Sequence, residues 1–144
     1  MNIDQLNKRY ALALAKLELA QHTGALRTSE NVKLVNYFTS TTNRRAFGIK
    51  CVVCAINCND CTPSNIAKEL GVSMNALDTM INECEDAGWI TVKRNKHNYR
   101  RVRAAKVLVD EWVSYSKKVA DFSATQNFIA IQAARKLHQM DFTG

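Results

Sequence analysis

Proline and glycine are scarce in this chain, with one Pro and five Gly among 144 residues. Both interrupt helices, so their scarcity favours long helices and argues against a large β-sheet. No apolar run reaches the roughly 18 residues that a membrane span needs. The opening MNIDQLNKRYALALAKLELAQ is amphipathic and broken by charge, so it does not read as a signal peptide. Five cysteines, odd in number and clustered, do not suggest a disulfide framework. Reduced thiols and a cytoplasmic location are expected. His22, His97 and His138 are scattered, and no Ser-His-Asp set, carboxylate pair or phosphate loop is visible. The sequence therefore gives no reason to expect an enzyme, and no cofactor is implied.

What is present is enough apolar residue, 47%, for one well-packed domain. The net charge of +7 favours a polyanionic partner. Its distribution says more. Lys93, Arg94, Lys96, Arg100, Arg101, Arg103 and Lys106 fall in one stretch without an acid, and elsewhere the chain is balanced.

That basic stretch ends a longer one, TPSNIAKELGVSMNALDTMINECEDAGWITVKRNKHNYRRVR, residues 62–103. Thr62 is placed to cap a helix beginning at Pro63, and Gly71 follows Leu70 where a helix end favours positive φ. Ser73 can cap a second helix, MNALDTMINECEDA, stopped at Gly88. Trp89-Ile90-Thr91-Val92 has strand composition, residues 95–98 form a polar turn, and residues 99–102 are a second extended run. Ile66, Ala67 and Leu70 share one face of the first helix. Leu77, Met80, Ile81 and Cys84 recur at helical spacing on the second. These pieces predict a winged helix-turn-helix.

The same residues resemble the DNA-binding core of MarR-type winged-helix regulators. The likeness lies in the Thr-Pro and Ile-Ala opening, the Leu-Gly-Val-Ser turn and the Gly-Trp-Ile exit into the wing. The resemblance implies a homodimer of mostly helical subunits, with long terminal helices interdigitating across the dimer. It also implies a small effector, which no residue here identifies. The chain departs from the pattern twice. Residues 73–88 carry Asp78, Glu83, Glu85 and Asp86 and no Lys or Arg, and the wing lacks the Asp-x-Arg element in which Asp orients Arg.

On this reading residues 1–144 form a single winged-helix domain. Residues 1–42 and 105–144 supply dimer helices and residues 43–104 the DNA-binding lobe. A first helix is expected over residues 3–22, with Leu12 and Leu19 off its main apolar stripe. A second is expected over 29–41, capped by Ser29, and a third from Arg44 to about Asn57, apolar almost all round and so buried. Residues 104–121 and 124–140 should form the last two helices, the latter capped by Ser123.

Candidate DNA contacts on or beside the recognition helix are Ser64, Ser73, Met74, Asn75, Asp78, Thr79 and Asn82. Asn pairs with adenine through two hydrogen bonds, and hydroxyls reach bases or phosphates. Lys93, Arg94, Lys96, His97, Arg100 and Arg101 are the candidate wing contacts, where cations meet phosphates or a narrow minor groove. Cys51, Cys54, Cys58 and Cys61 have a spacing that suggests a metal. Cys51 and Cys58 would stand about 10 Å apart along a continuous helix, too far for one tetrahedral zinc. No metal is therefore assigned. The expected function is a sequence-specific regulator of transcription that binds double-stranded DNA as a homodimer. The alternatives are a winged-helix protein-interaction adaptor, for which the acidic helix speaks, and a thiol- or metal-sensing regulator on the same scaffold.

Overall fold

The computed structural model describes residues 2–27 and 30–143, and the chain divides into two compact units. One unit joins Met1–Arg27 to Ser114–Gly144, and the other is Thr28–Val113. The residues 1–42 grouped together above are thus shared between the two.

In the first unit, which also takes in the end of α6 (Lys106–Thr125), α1 (Ile3–Thr23) packs on α7 (Phe128–Thr143). A capping box starts α1: the Asn2 side chain accepts from the Gln5 N–H, and the Gln5 side chain accepts from the Asn2 N–H. Leu6, Ala13 and Ala20, seven residues apart, form its buried line. Tyr10 meets Phe128 at 4.8 Å between ring centroids, and Arg135 lies 4.9 Å over the Tyr10 ring while donating to Asn7. Leu12 and Leu19 face away, 57% and 62% exposed, as their position off the stripe implies. Ser123 does not start the last helix. It lies inside α6, which continues to Thr125 because nothing before it breaks the helix. The break comes at Asn127, whose left-handed φ of 53° suits Asn better than most residues.

The second unit contains α2 (Val32–Ser40), α3 (Thr42–Ile56), α4 (Pro63–Leu70), α5 (Met74–Asp86), and an antiparallel hairpin of β1 (Ile90–Arg94) and β2 (Arg100–Ala104). The cap expected at Ser29 lies outside the described residues, and α2 begins after Asn31 without a side-chain cap. The α3 helix is not apolar-buried all round. It buries Phe47, Gly48, Cys51, Val52 and Cys54 but leaves Val53 and Ile56 exposed, because helical spacing turns those two away from the core. Around Phe47 and Cys51 pack Leu34 and Phe38 from α2, Ile66 from α4, Leu77 and Ile81 from α5, and Val102 from β2.

Gly48 lets α2 approach α3. A Cβ there would stand 2.6 Å from the buried Phe38 ring. Ala would gain about 1 kcal/mol of helix propensity, but displacing a core ring costs typically about 1–3 kcal/mol. Gly48→Ala is expected to lower unfolding free energy by about 1 kcal/mol net, measured by urea titration. A variant as stable as the parent would mean that the helices separate freely at this point.

Candidate nucleic-acid interface

Local chemistry builds the helix-turn-helix. Thr62 Oγ1 accepts from the Asn65 N–H at 3.3 Å, Pro63 occupies the first turn, and α4 closes at Gly71 with a left-handed φ of 68°. The Val72 N–H then returns to the Ala67 carbonyl at 3.1 Å, which turns the chain sharply into α5. Ser73 Oγ accepts from the Ala76 N–H at 3.1 Å to start that helix. Leu77, Met80, Ile81 and Cys84 are buried on one face of α5, as their spacing predicts.

The opposite face holds Met74, Asn75, Thr79 and Asn82, all exposed, with Ser73 exposed at the cap. Asp78 on this face is only half-exposed. Thr79 Oγ1 donates back to the Asn75 carbonyl at 3.0 Å. Ser64 is exposed at the start of α4, 3.5 Å from the Thr62 hydroxyl.

Strand alternation gives the hairpin two faces. The inner one carries Ile90, Val92, Val102 and Ala104, then Arg94 opposite Arg100 at the far end. Two arginines directly across strands repel. Each is answered from α5: Arg94 donates twice to Glu85, at 3.0 and 3.1 Å, and Arg100 to Asp78 at 2.6 Å. A third α5 acid, Glu83, lies 3.5 Å from Arg44, whose guanidinium also covers the Tyr37 ring at 4.5 Å. The outer hairpin face carries Lys93, Arg101 and Arg103. Asp60 pairs with Arg103 and stands 3.9 Å from Lys93. Lys106 pairs with Asp110.

The basic stretch is therefore unopposed in sequence but not in space. Among the described residues only Lys96 and Arg101 of its seven cations lack an ion pair. The tip is a built turn: the Asn95 side chain accepts from the His97 and Tyr99 N–H groups, and Asn98 sits at a φ of 61°. Lys96 and His97 are exposed there. Tyr99, absent from the expected contacts, is 68% exposed near the tip, its ring 6.5 Å from that of His97. Arg44, Asp60, Glu83 and Glu85 are likewise unexpected as partners. Three of these pairs join distant parts of the chain, and no local pattern announces them. The nine-residue step from Glu85 to Arg94 was the one signal available.

The architecture has counterparts among solved structures. A MarR family transcription regulator aligns over 97% of this chain and 89% of its own, with a TM-score of 0.53 and 18% identity. The heme sensor protein PefR from Streptococcus agalactiae, solved with heme, aligns over 90% and 89%, with a TM-score of 0.51 and 11% identity. The chain has the MarR-type winged-helix fold. No family model and no curated protein matches it in sequence, so the likeness is one of fold.

Within this MarR-type lobe the cysteines depart from expectation. Cys54 and Cys61 form a disulfide, with Cα atoms 6.2 Å apart, where reduced thiols were expected. The α3 helix ends at Ile56, and the chain doubles back, bringing Cys61 to Cys54. Cys51 is a buried thiol and Cys58 an exposed one. The bond removes two of the four sulfurs from any tetrathiolate, and no metal-holding group of His, Cys, Asp or Glu occurs among the described residues.

The hydrogen bonds from Arg94, reinforced by its charge, hold the Glu85 carboxyl below the usual glutamate range. A carboxyl lowered in the folded state stabilises fully above its unfolded value of about 4.3 and loses that contribution as pH falls through the lowered value. A carboxyl-carbon NMR titration should thus place the Glu85 midpoint below that of a free glutamate, and Arg94→Gln should return it to the ordinary range. A midpoint unchanged by Arg94→Gln would show that the pair does not form in solution.

Proposed function

We propose that this protein regulates transcription by binding double-stranded DNA sequence-specifically as a homodimer. One observation carries the reading. Three of the four acids on α5 are held by Arg100, Arg44 and Arg94, so the helix meets a phosphate backbone without the repulsion its sequence suggests. Ser73, Asn75, Thr79 and Asn82 then face the base edges, where Asn is suited to adenine. Met74 offers an apolar contact to a thymine methyl, and Ser64 a hydroxyl to a phosphate. Lys96 and Arg101, assisted by Lys93 and His97, supply the charge that grips the strands. Arg94 and Arg100 hold the wing to α5 through Glu85 and Asp78, so Asp78 serves as an anchor for Arg100 rather than as a DNA contact.

The homodimer is supported by the exposed apolar side chains of the terminal helices, Leu12, Leu14 and Leu19 on α1 and Ile129 and Leu137 on α7. Two subunits would read half-sites about one helical turn apart. A protein-contact role for α5 is the second reading. The acids on that helix favour it, although Asp86 alone among them has no ion pair within the described residues.

Duplex titration at several salt concentrations separates the two. A DNA regulator shows an affinity that falls steeply with salt, and Lys96→Gln and Arg101→Gln each flatten the logarithmic slope by about 0.9. Selection from a random duplex pool should enrich a palindrome, and Asn75→Ala should relax one position in each half. Absence of binding even at low salt would leave the adaptor reading.

A further inference from the structure

The loop between α3 and α4 gathers more connections than its length requires. Cys61 exchanges both backbone hydrogen bonds with Val102 of β2, at 3.2 and 2.9 Å, and so adds a short third rung to the hairpin. On one side of it Asp60 pairs with Arg103 and approaches Lys93. On the other, Thr62 caps α4. The Cys54–Cys61 bond ties this junction to the buried end of α3. Between the bonded cysteines sits Cys58, exposed, and held at a left-handed φ of 55° that side chains other than Gly and Asn seldom adopt.

We propose that Cys54–Cys61 is a thiol–disulfide exchange site, open to small dithiols and disulfides from the Cys61 side, whose state sets how firmly the hairpin base is held to α3. Approach is directional because Cys54 is 2% exposed while Cys61 is only partly buried. A dithiol thiolate attacks Cys61 Sγ, the protein S–S bond breaks, and Cys54 leaves as a thiolate that takes up a proton. The second thiol of the reagent then attacks the mixed disulfide and releases Cys61 as a thiol. The protein gains two electrons and two protons, and the reagent departs as a cyclic disulfide. A small-molecule disulfide runs the exchange in reverse. With the bond open, the loop is tied to α3 only through the backbone hydrogen bonds of Asn57, Cys58 and Asn59 to Val53, Ala55 and Cys54, and the backbone at Val102 opens more often. Its consequence for DNA rests on the function proposed above, whereas the exchange site does not.

Alkylation followed by mass spectrometry tests the site in the intact protein. Without reductant, only Cys58 should label quickly. Cys51 and Cys84 are buried, and burial pushes the Cys84 thiol up to about 12. After treatment with dithiothreitol, Cys54 and Cys61 should label as well, and amide hydrogen exchange at Val102 should rise at least about tenfold. The Cys54→Ala/Cys61→Ala protein should match the reduced state and ignore the reagent. Labelling of Cys54 and Cys61 in folded protein before reduction overturns the proposal, as does equal exchange at Val102 with the bond open and closed. Duplex affinity is then compared in the two states. A difference of about threefold or more supports the link to DNA, and equal affinities overturn that link. Failure to bind DNA in either state counts against the proposed function, while the labelling and exchange results still decide the site.

Discussion

The hairpin's inner face is the constraint on which the winged lobe depends. Val102 is fully buried, and with Ile90 and Ala104 it fixes which side of each strand faces the core. A slip of one residue would put these three into solvent and their charged neighbours inside, so the register is strongly determined. The same alternation turns Arg94 and Arg100 inward at the far end, toward α5. They stand at the edge of the apolar core rather than in it, and Asp78, about one turn into α5, and Glu85, about three turns in, receive Arg100 and Arg94 respectively. The wing's pose and the neutralisation of α5 are thus two results of a single register.

Much of this lobe was legible in the residues because its signals are local. The α4 bounds follow from Thr62, Pro63 and Gly71, and the α5 core face from the spacing of Leu77, Met80, Ile81 and Cys84. Where reading failed, the cause was not local. A run of apolar residues in α3 looked uniformly buried, yet what decides burial is which neighbours arrive, and none covers Val53 or Ile56. Ser123 is a good cap residue that α6 passes through, because capping chemistry permits a helix start without requiring one. The basic run is unopposed in sequence because its carboxylates come from Asp60, Asp78, Glu85 and Asp110, outside the run. The disulfide was hidden by parity: an odd cysteine count does not prevent two of them from meeting.

The ion pairs matter for direction more than for stability. All are partly exposed, and pairs of that kind add little to a fold once side-chain ordering and screening are counted. An unpaired carboxylate facing a phosphate at about 4 Å would meet repulsion of about 1 kcal/mol in water, rising to about 4 kcal/mol in the lower dielectric of an interface. Three such groups on one helix would compete seriously with specific contacts. Paired to arginine, each becomes a dipole whose field decays faster with distance. Weak pairs can therefore decide what α5 is able to approach while contributing little to whether it folds.

Charge and covalent linkage also divide the work at the base of the hairpin. Asp60 with Arg103 and Lys93 is an electrostatic tie, loosened as ionic strength rises and the screening length contracts toward molecular distances. Cys54–Cys61, immediately beside it, is indifferent to salt. With the bond closed, raising salt acts mainly on the outer cations, and the hairpin base stays fixed. Opening the bond would leave the Asp60 pairs, which salt weakens, a larger share in holding that base beside its buried side chains and the Cys61–Val102 hydrogen bonds. The two variables then cease to be independent, and the salt dependence of the reduced protein contains a contribution from the fold as well as from the interface.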